Sequence, residues 1–200
     1  MTHPSRKVCF VTIGATAPFD TLLSNVLAQP FLEALKKHGY TALLIQYGKE
    51  GQEIFDTFIK NNPPGSPGRY DLDIQGFGFK KDGLVQEMRS TKANESQHIA
   101  EGIILSHAGS GSIMEALRIG VPLVVVPNPA LQDNHQEDLT RQIAKNGWAV
   151  AGNLNRLAES VPKAEKLRST LRSWPSKDRG ELKDSRGLAG VVEEEMGFLD

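Results

Sequence analysis

Cys9 is the single cysteine of the 200-residue chain. No disulfide framework can form within it, and a reducing compartment is expected. Cys9 lies in an apolar run and reads as a packing residue rather than a reactive thiol. A dominant charge sign is missing too: 23 basic residues against 24 acidic leave a net charge of −1. Bulk electrostatics therefore gives no footprint for a nucleic-acid partner. Long hydrophobic runs are also absent. The most apolar one, Val121–Val126, contains Pro122 and is followed by Pro127, whereas a bilayer span needs about 20 apolar residues. The chain is expected not to cross a membrane by itself. Met1 to Lys7 is polar and the next apolar stretch breaks at Gly14, so no secretory signal is expected. Internal repeats are lacking as well. An apolar fraction of 39% and a charged fraction of 24% are ordinary for a globular domain. The length suits one well-buried domain and is too short for two full nucleotide-binding folds.

The elements that remain alternate. Lys7–Ile13 is a β-branched apolar run ending at Gly14, which predicts a buried strand. Phe19, Leu22, Leu23, Val26 and Leu27 recur at helical spacing; Pro30 breaks that helix, and a second piece runs to Lys37 with Gly39 closing it. Thr41–Tyr47 predicts a second strand, and Glu50–Lys60 a weak helix. Asn61–Arg69 is a loop by composition. Tyr70–Phe79 alternates as a strand, and Asp82–Ala100 reads as a helix with a polar middle. Gly102–Ser106 predicts a buried strand, Ser112–Ile119 a short helix ended by Gly120, and Pro122–Val126 the next strand. A helix over Asp133–Asn146, a short strand over Trp148–Ala151 and a last core helix over Leu154–Leu171 complete the pattern.

Strands alternating with helices predict a doubly wound, mainly parallel, Rossmann-like α/β sheet over residues 1–172. Residues 173–200 turn polar and end in the amphipathic stretch Leu188–Leu199, with acidic residues at Glu193–Glu195. They are expected to form a tail that docks onto a partner. In open α/β sheets ligands bind beyond the carboxyl ends of the strands, near the topological switch point. That rule puts Gly14–Thr16, Ser106–Ser112 and Pro127–Gln136 on one rim.

The strand, glycine loop and helix at Ile103–Ile119 carry the most chemistry. Gly109 and Gly111 allow close backbone approach, and the unpaired N–H groups of a starting helix favour a phosphate. Ser110 and Ser112 add hydroxyl donors. Glu115 admits two readings. Ser112-Ile113-Met114-Glu115 matches a capping box, in which the carboxylate satisfies the N-cap amide. Alternatively the carboxylate accepts from a ribose diol. Asp133-Asn134-His135-Gln136 is a second box of the same kind. Its amide- and imidazole-rich turn also suits the hydroxyls of a sugar ring.

His107-Ala-Gly-Ser-Gly-Ser-Ile-Met-Glu115, Gly120-Val-Pro122, Pro127 and Asn134-His135-Gln136, together with Val11-Thr-Ile-Gly14 and Phe19-Asp20, resemble the donor-site signature of GT-B glycosyltransferases. Within these the chain is similar to the small catalytic subunits of the dolichol-pathway UDP-N-acetylglucosamine transferase, over roughly Lys7 to Leu171. The resemblance implies the donor-binding half of a GT-B enzyme. The amides of Gly109, Ser110, Gly111 and Ser112 would hold the diphosphate, Glu115 the ribose, and Asn134 and Gln136 sugar hydroxyls beside His135. Gly14 and Thr16 would line the opposite wall. His107 would orient the loop or touch phosphate, its alternative being a buried, hydrogen-bonded histidine. The loop Ala15–Pro18 is a residue longer than the family form, and Glu50–Glu101 carries extra length, so no functional residues are carried onto that stretch.

The same resemblance implies UDP-N-acetylglucosamine as donor and no cofactor. It also implies a membrane-anchored partner subunit that supplies the dolichol-linked acceptor on the cytosolic face of the endoplasmic reticulum. Other readings stay open at this level: a stand-alone glycosyltransferase acting on a small molecule, or a non-catalytic sugar-nucleotide scaffold. The catalytic base is not identified and is expected from the partner. Asp71-Leu72-Asp73 has the spacing of a cation-holding pair, but it reads as the solvated face of a strand, and no metal requirement is expected. Ser110 lacks the Gly-x-Ser-x-Gly spacing of a nucleophile elbow, which disfavours a serine hydrolase.

Overall fold

The computed structural model describes residues 5–14, 17–131 and 135–173. Six strands form one parallel sheet: β1 (Arg6–Thr12), β2 (Ala42–Gln46), β3 (Asp73–Phe77), β4 (Ile99–His107), β5 (Leu123–Val126) and β6 (Val150–Ala151). Their spatial order is β3-β2-β1-β4-β5-β6. The chain therefore winds outward from β1 in one direction, then crosses to β4 and winds in the other. The helices are α1 (Asp20–Val26), α2 (Gln29–Lys37), α3 (Gln52–Asn61), α4 (Val85–Arg89), α5 (Ser110–Ile119), α6 (His135–Lys145) and α7 (Ser160–Ser173). This is the doubly wound α/β fold expected from the alternation of elements.

Two apolar layers explain the continuous hydrophobic runs at Val8–Val11 in β1, Ala42–Ile45 in β2, Ile103–Leu105 in β4 and Leu123–Val126 in β5. Cys9 and Val11 of β1 with Ile103 and Leu105 of β4 face one way, onto Leu22, Leu32, Leu35, Val161 and Ala164. Phe10, Ile104, Leu123 and Val125 face the other way, onto Met88, Ile113, Ala116, Leu139 and Ile143. Alternate residues of one strand thus serve opposite layers, as the period of two requires. Each fully buried Leu, Ile or Val contributes roughly 1.5–3 kcal/mol. Cys9 is buried, which pushes its thiol well above the ordinary value and suits it to packing.

α7 closes the first layer and is tied to the amino ends of the strands. Glu165 accepts from Lys7 Nζ at 3.0 Å and from Tyr40 Oη at 2.6 Å, and it pairs with Arg168 Nε at 3.0 Å. Arg168 also donates to Glu101 at 2.8 Å and to the Gly102 carbonyl at 3.0 Å. This network joins α7 to β1, β4 and the segment leading into β2 at the end of the sheet opposite the glycine loop.

Several expected boundaries move. The helix expected over Asp82–Ala100 shrinks to α4 and a 3₁₀ turn at Glu95–Gln97. The intervening polar residues have no apolar stripe to bury, and Asn94 instead bridges to Ile99, where β4 already begins. The strand expected over Tyr70–Phe79 is confined to β3, because Tyr70 and Asp71 adopt left-handed backbone at φ 52° and 57°. Asp71 thus lies in a turn rather than in the strand. Trp148 does not start β6, since its amide closes α6 onto the Ile143 carbonyl. The last core helix is split into a 3₁₀ segment, Leu154–Glu159, and α7, with Arg156 at φ −138°. The glycine-loop helix begins at Ser110, two residues earlier than the pattern predicts.

Candidate functional site

The carboxyl ends of β1 and β4 lie side by side where the winding reverses. That is the point at which the following loops diverge and leave a crevice. β1 ends in Thr12, fully buried, and is followed by Gly14, held at φ +86°. Polar groups pin this turn. Thr12 Oγ1 donates to Gln46 Oε1 at 2.7 Å, and Gln46 Nε2 donates to the Gly14 carbonyl at 3.2 Å. The Gly14 amide points back to Thr12 Oγ1 at 3.4 Å.

β4 ends in His107, whose ring wedges between two glycines. A Cβ on Gly14 would stand 2.7 Å from His107 Nε2, and one on Gly109 would stand 2.3 Å from the same atom. Glycine is required at both positions by this close approach, and at Gly14 also by the left-handed backbone. Burial depresses the His107 pKa below the ordinary value, opposed by the nearby Thr12 backbone. The imidazole is therefore neutral near pH 7. His107 Nδ1 is buried and meets no hydrogen-bond partner among the described residues.

Gly109 is the N-cap of α5, with extended backbone and no side-chain cap. Its carbonyl accepts the first helical bond, from the Ile113 amide at 3.0 Å. The amides of Ser110, Gly111 and Ser112 consequently open the helix without intrahelical acceptors. They supply the partial positive charge that a phosphate seeks. Because the helix starts at Ser110, Ser112 lies in its first turn and the capping box with Glu115 does not form. The Glu115 carboxylate keeps 29% of its exposure and stands 3.7 Å from Arg118, one turn along.

Thr12, Gly14, Gln46, His107, Gly109–Ser112 and Glu115 line a single cleft of about 520 Å³. That volume is within the range of small-ligand sites. The sheet topology thus gathers Gly14, His107, Gly109, Ser110, Gly111, Ser112 and Glu115 from the expected site. The far wall is Phe79, Lys80, Gly83, Leu84, Val85 and Met88, from the stretch on which no functional residue was expected. Lys80 is ion-paired with Glu87 and lies 5.1 Å from the Phe77 ring centre. Phe79 stays 48% exposed, with Lys49 Nζ 5.6 Å from its ring centre. A polar Thr12 and Gln46 closing two otherwise apolar strands were the signals in the sequence for the inner wall. The far wall had none: Phe79 and Lys80 follow the carboxyl end of β3, and Val85 and Met88 belong to the short helix α4.

Other expected residues stand apart. His135 is exposed at the start of α6, and neither it nor Gln136 lines the cleft. Gln136 Oε1 accepts from the Asn128 amide at 3.0 Å and so braces the loop after β5. Thr16 and Asn134 lie outside the described residues, as does Asp133 of the second expected box. Asn128, not singled out from sequence, is buried; its Nδ2 donates to the Pro18 carbonyl at 3.1 Å, and its Oδ1 accepts from the Ala130 amide at 3.0 Å. It fastens the loop after β1 to the loop after β5. Asp73 opens β3 at the amino end of the sheet, opposite the cleft, and Asp71 beside it is paired with Lys36 at 2.8 Å. Among the described residues no helix is long and apolar enough to cross a membrane.

Comparison with known proteins agrees with this geometry. The family described as "Glycosyltransferase family 28 C-terminal domain" matches residues 8–183. A relative from Cryptococcus neoformans, named UDP-N-acetylglucosamine transferase subunit ALG13, is 33% identical over 88% of each chain. A protein of the same name from Saccharomyces cerevisiae is 31% identical, over 73% of this chain and 78% of that one. An NMR solution structure of ALG13 superposes with a TM-score of 0.59 at 26% identity, covering 82% of this chain and 88% of the other.

Proposed function

From the premise that this chain belongs to the glycosyltransferase family 28 C-terminal domain family, we propose that it is the catalytic, donor-binding subunit of an N-acetylglucosaminyltransferase. It takes N-acetylglucosamine from UDP-N-acetylglucosamine and delivers it to N-acetylglucosaminyl-diphospho-dolichol during lipid-linked oligosaccharide synthesis. The observation that carries this reading is the cleft at the switch point, where the opening amides of α5, neutral His107 and Glu115 converge. The relatives named as transferase subunits support the donor and the reaction class.

The roles follow from chemistry. The diphosphate sits against the amides of Ser110, Gly111 and Ser112, which stabilise the negative charge that grows as the sugar departs. Glu115 accepts from the ribose hydroxyls, an acceptor-only role open to an ionised carboxylate. Gly14 forms the facing wall, and Thr16 is given a role there by the family resemblance. Asn134, His135 and Gln136 are assigned to the sugar hydroxyls by the family resemblance. Gln136 has its Oε1 committed to Asn128, so it would serve through its Nε2 donors.

A donor half needs an acceptor half, and the word "subunit" in the relatives' names supports a partner. In this reading the partner is membrane-anchored, presents the lipid acceptor and contributes the base that deprotonates its hydroxyl. It would hold this chain at the cytosolic face of the endoplasmic reticulum, with residues 173–200 among its contacts. The proposed chemistry draws on neither a cofactor nor the Asp71/Asp73 pair.

Reconstitution of the full chain with the membrane partner tests this. Transfer of N-acetylglucosamine to the lipid diphosphate acceptor is expected from the wild type and is to be lost with Glu115→Ala. Undiminished transfer by folded Glu115→Ala would remove that residue from the site. Transfer by the isolated chain to a soluble acceptor would favour a stand-alone enzyme.

A further inference from the structure

Gln46 is a polar side chain only 2% exposed at the end of β2, in a run that is otherwise apolar. An interior amide is costly unless its hydrogen bonds are made. Both of its ends are engaged, and both partners belong to the switch-point turn: Oε1 takes the Thr12 hydroxyl at 2.7 Å, and Nε2 holds the Gly14 carbonyl at 3.2 Å. Gly14 in turn presses on the His107 ring, which presses on Gly109, the N-cap of α5. A continuous line of contacts runs from β2 through β1 and β4 to the amides that open the cleft. Every link in it is a close-packed or hydrogen-bonded contact between described residues, and all four of these side chains or turns border the same cleft.

We propose that Gln46 is a positioning residue for the sugar nucleotide, setting the height of the Gly14 turn and through it the seat of His107 against Gly109. Gln46 works through Gly14 and His107 rather than by direct contact with the ligand. Without its amide, the Gly14 carbonyl and the Thr12 hydroxyl lose their fixed partners, the left-handed turn loosens, and the imidazole is no longer clamped between two glycines. The diphosphate then meets a mobile wall in place of a preformed one, and affinity falls because the binding energy must order the turn. The residue type is specific to this task. The position needs one acceptor for the hydroxyl and one donor for the carbonyl at a fixed spacing, which a Gln supplies and a Met or an ionised Glu does not.

The inference rests on the reading of the cleft as a UDP-N-acetylglucosamine site, and two measurements on the full chain keep the two apart. The first is amide hydrogen exchange without ligand. Gln46→Met is expected to accelerate exchange in segments covering Ile13–Gly14 and His107–Ser112, while Tyr40→Phe, which disturbs only the α7 network, does not. The second is titration with UDP-N-acetylglucosamine. Gln46→Met should weaken binding about tenfold, the effect of losing one or two buried hydrogen bonds, and Tyr40→Phe should leave it unchanged. Unaltered exchange in both segments of Gln46→Met overturns the positioning role whatever the ligand proves to be. Altered exchange with equal affinity in Gln46→Met and wild type overturns it too, leaving Gln46 a purely structural residue. Altered exchange with no binding by the wild type, alone or beside its partner, overturns the assignment of this chain's positioned turn to a sugar nucleotide and with it the proposed function.

Discussion

The imidazole of His107 occupies the space that a side chain on Gly14 would need, with Nε2 2.7 Å from the Cβ position. The same ring excludes a side chain from Gly109 at 2.3 Å. The two glycines differ in one respect: Gly14 has φ +86°, whereas Gly109 has φ −80°. They are separable by a double-mutant cycle. Gly109→Ala is expected to destabilise the fold through the ring clash alone, so His107→Ala should restore most of the loss. Gly14→Ala adds a backbone cost of roughly 1–2 kcal/mol that His107→Ala cannot remove. Gly111→Ala meets nothing within 4 Å, lies within α5, and should raise stability by about 0.4–1 kcal/mol. Urea unfolding of the four single and two double variants checks the pattern; equal rescue of both glycine variants would contradict it.

Glu115 has no capping partner, since α5 starts at Ser110, and its contact with Arg118 is a long, exposed ion pair. Exposed pairs of this kind contribute about 0–0.5 kcal/mol. Glu115→Gln should therefore leave the unfolding midpoint unaltered while lowering kcat/KM for the sugar nucleotide by about 10-fold or more, the effect of one charge-assisted hydrogen bond. A large stability loss with intact kinetics would revive the capping role.

Glu165 links the stability of the fold to pH. Desolvation alone would raise its pKa, but Arg168, Tyr40 and Lys7 outweigh it and bring the carboxyl from 4.5 to about 2. A depressed carboxylate contributes stability above its unfolded pKa and loses it as pH falls, so this contribution should fade between pH 4.5 and about 2. Depressed His107 acts in the same direction, beginning as pH drops below 6.5, because the unfolded chain binds that proton more readily. Glu165→Gln should flatten the acid limb of the stability curve. At pH 7 it should cost about 2 kcal/mol, less than the roughly 3–5 of a fully buried pair, because the carboxylate keeps 22% exposure. An acid limb of unchanged slope would refute the assignment.

Asn128 should affect both loops it joins. Asn128→Ala removes the bonds to Pro18 and Ala130 and should cost roughly 1–2 kcal/mol. Because Pro18 follows the Gly14 turn in the chain, the donor KM should rise with little change in kcat. Unchanged KM in a variant that loses stability would confine Asn128 to the fold.

Local pattern was sufficient for much of the fold and for one side of the site. β-branched apolar runs such as Val8–Ile13 and Ile103–Leu105, each bounded by glycine or polar residues, read as strands buried on both faces, and Gly109–Ser112 after such a strand reads as a tight entry to a helix. Local pattern failed where a residue's role depends on distant contacts. Asp82–Ala100 has enough helix formers to look helical, yet without an apolar stripe it forms one short helix and a turn. Ser112 and Glu115 have the spacing of a cap, but the actual start of a helix is decided by where the preceding strand releases the chain. The Oε1 of Gln136 accepts from the Asn128 amide, a contact that its place in the Asp133–Gln136 box does not announce.

The residues themselves settled that this is a parallel α/β domain with a phosphate-suited strand–loop–helix, because period, glycine placement and helix starts act over a few neighbours. Which side chains share the cleft was left to tertiary structure. Gln46, His107 and Lys80 come from three strand ends or their loops, and only the crossover from β1 to β4, together with the packing of α4, brings them around one space.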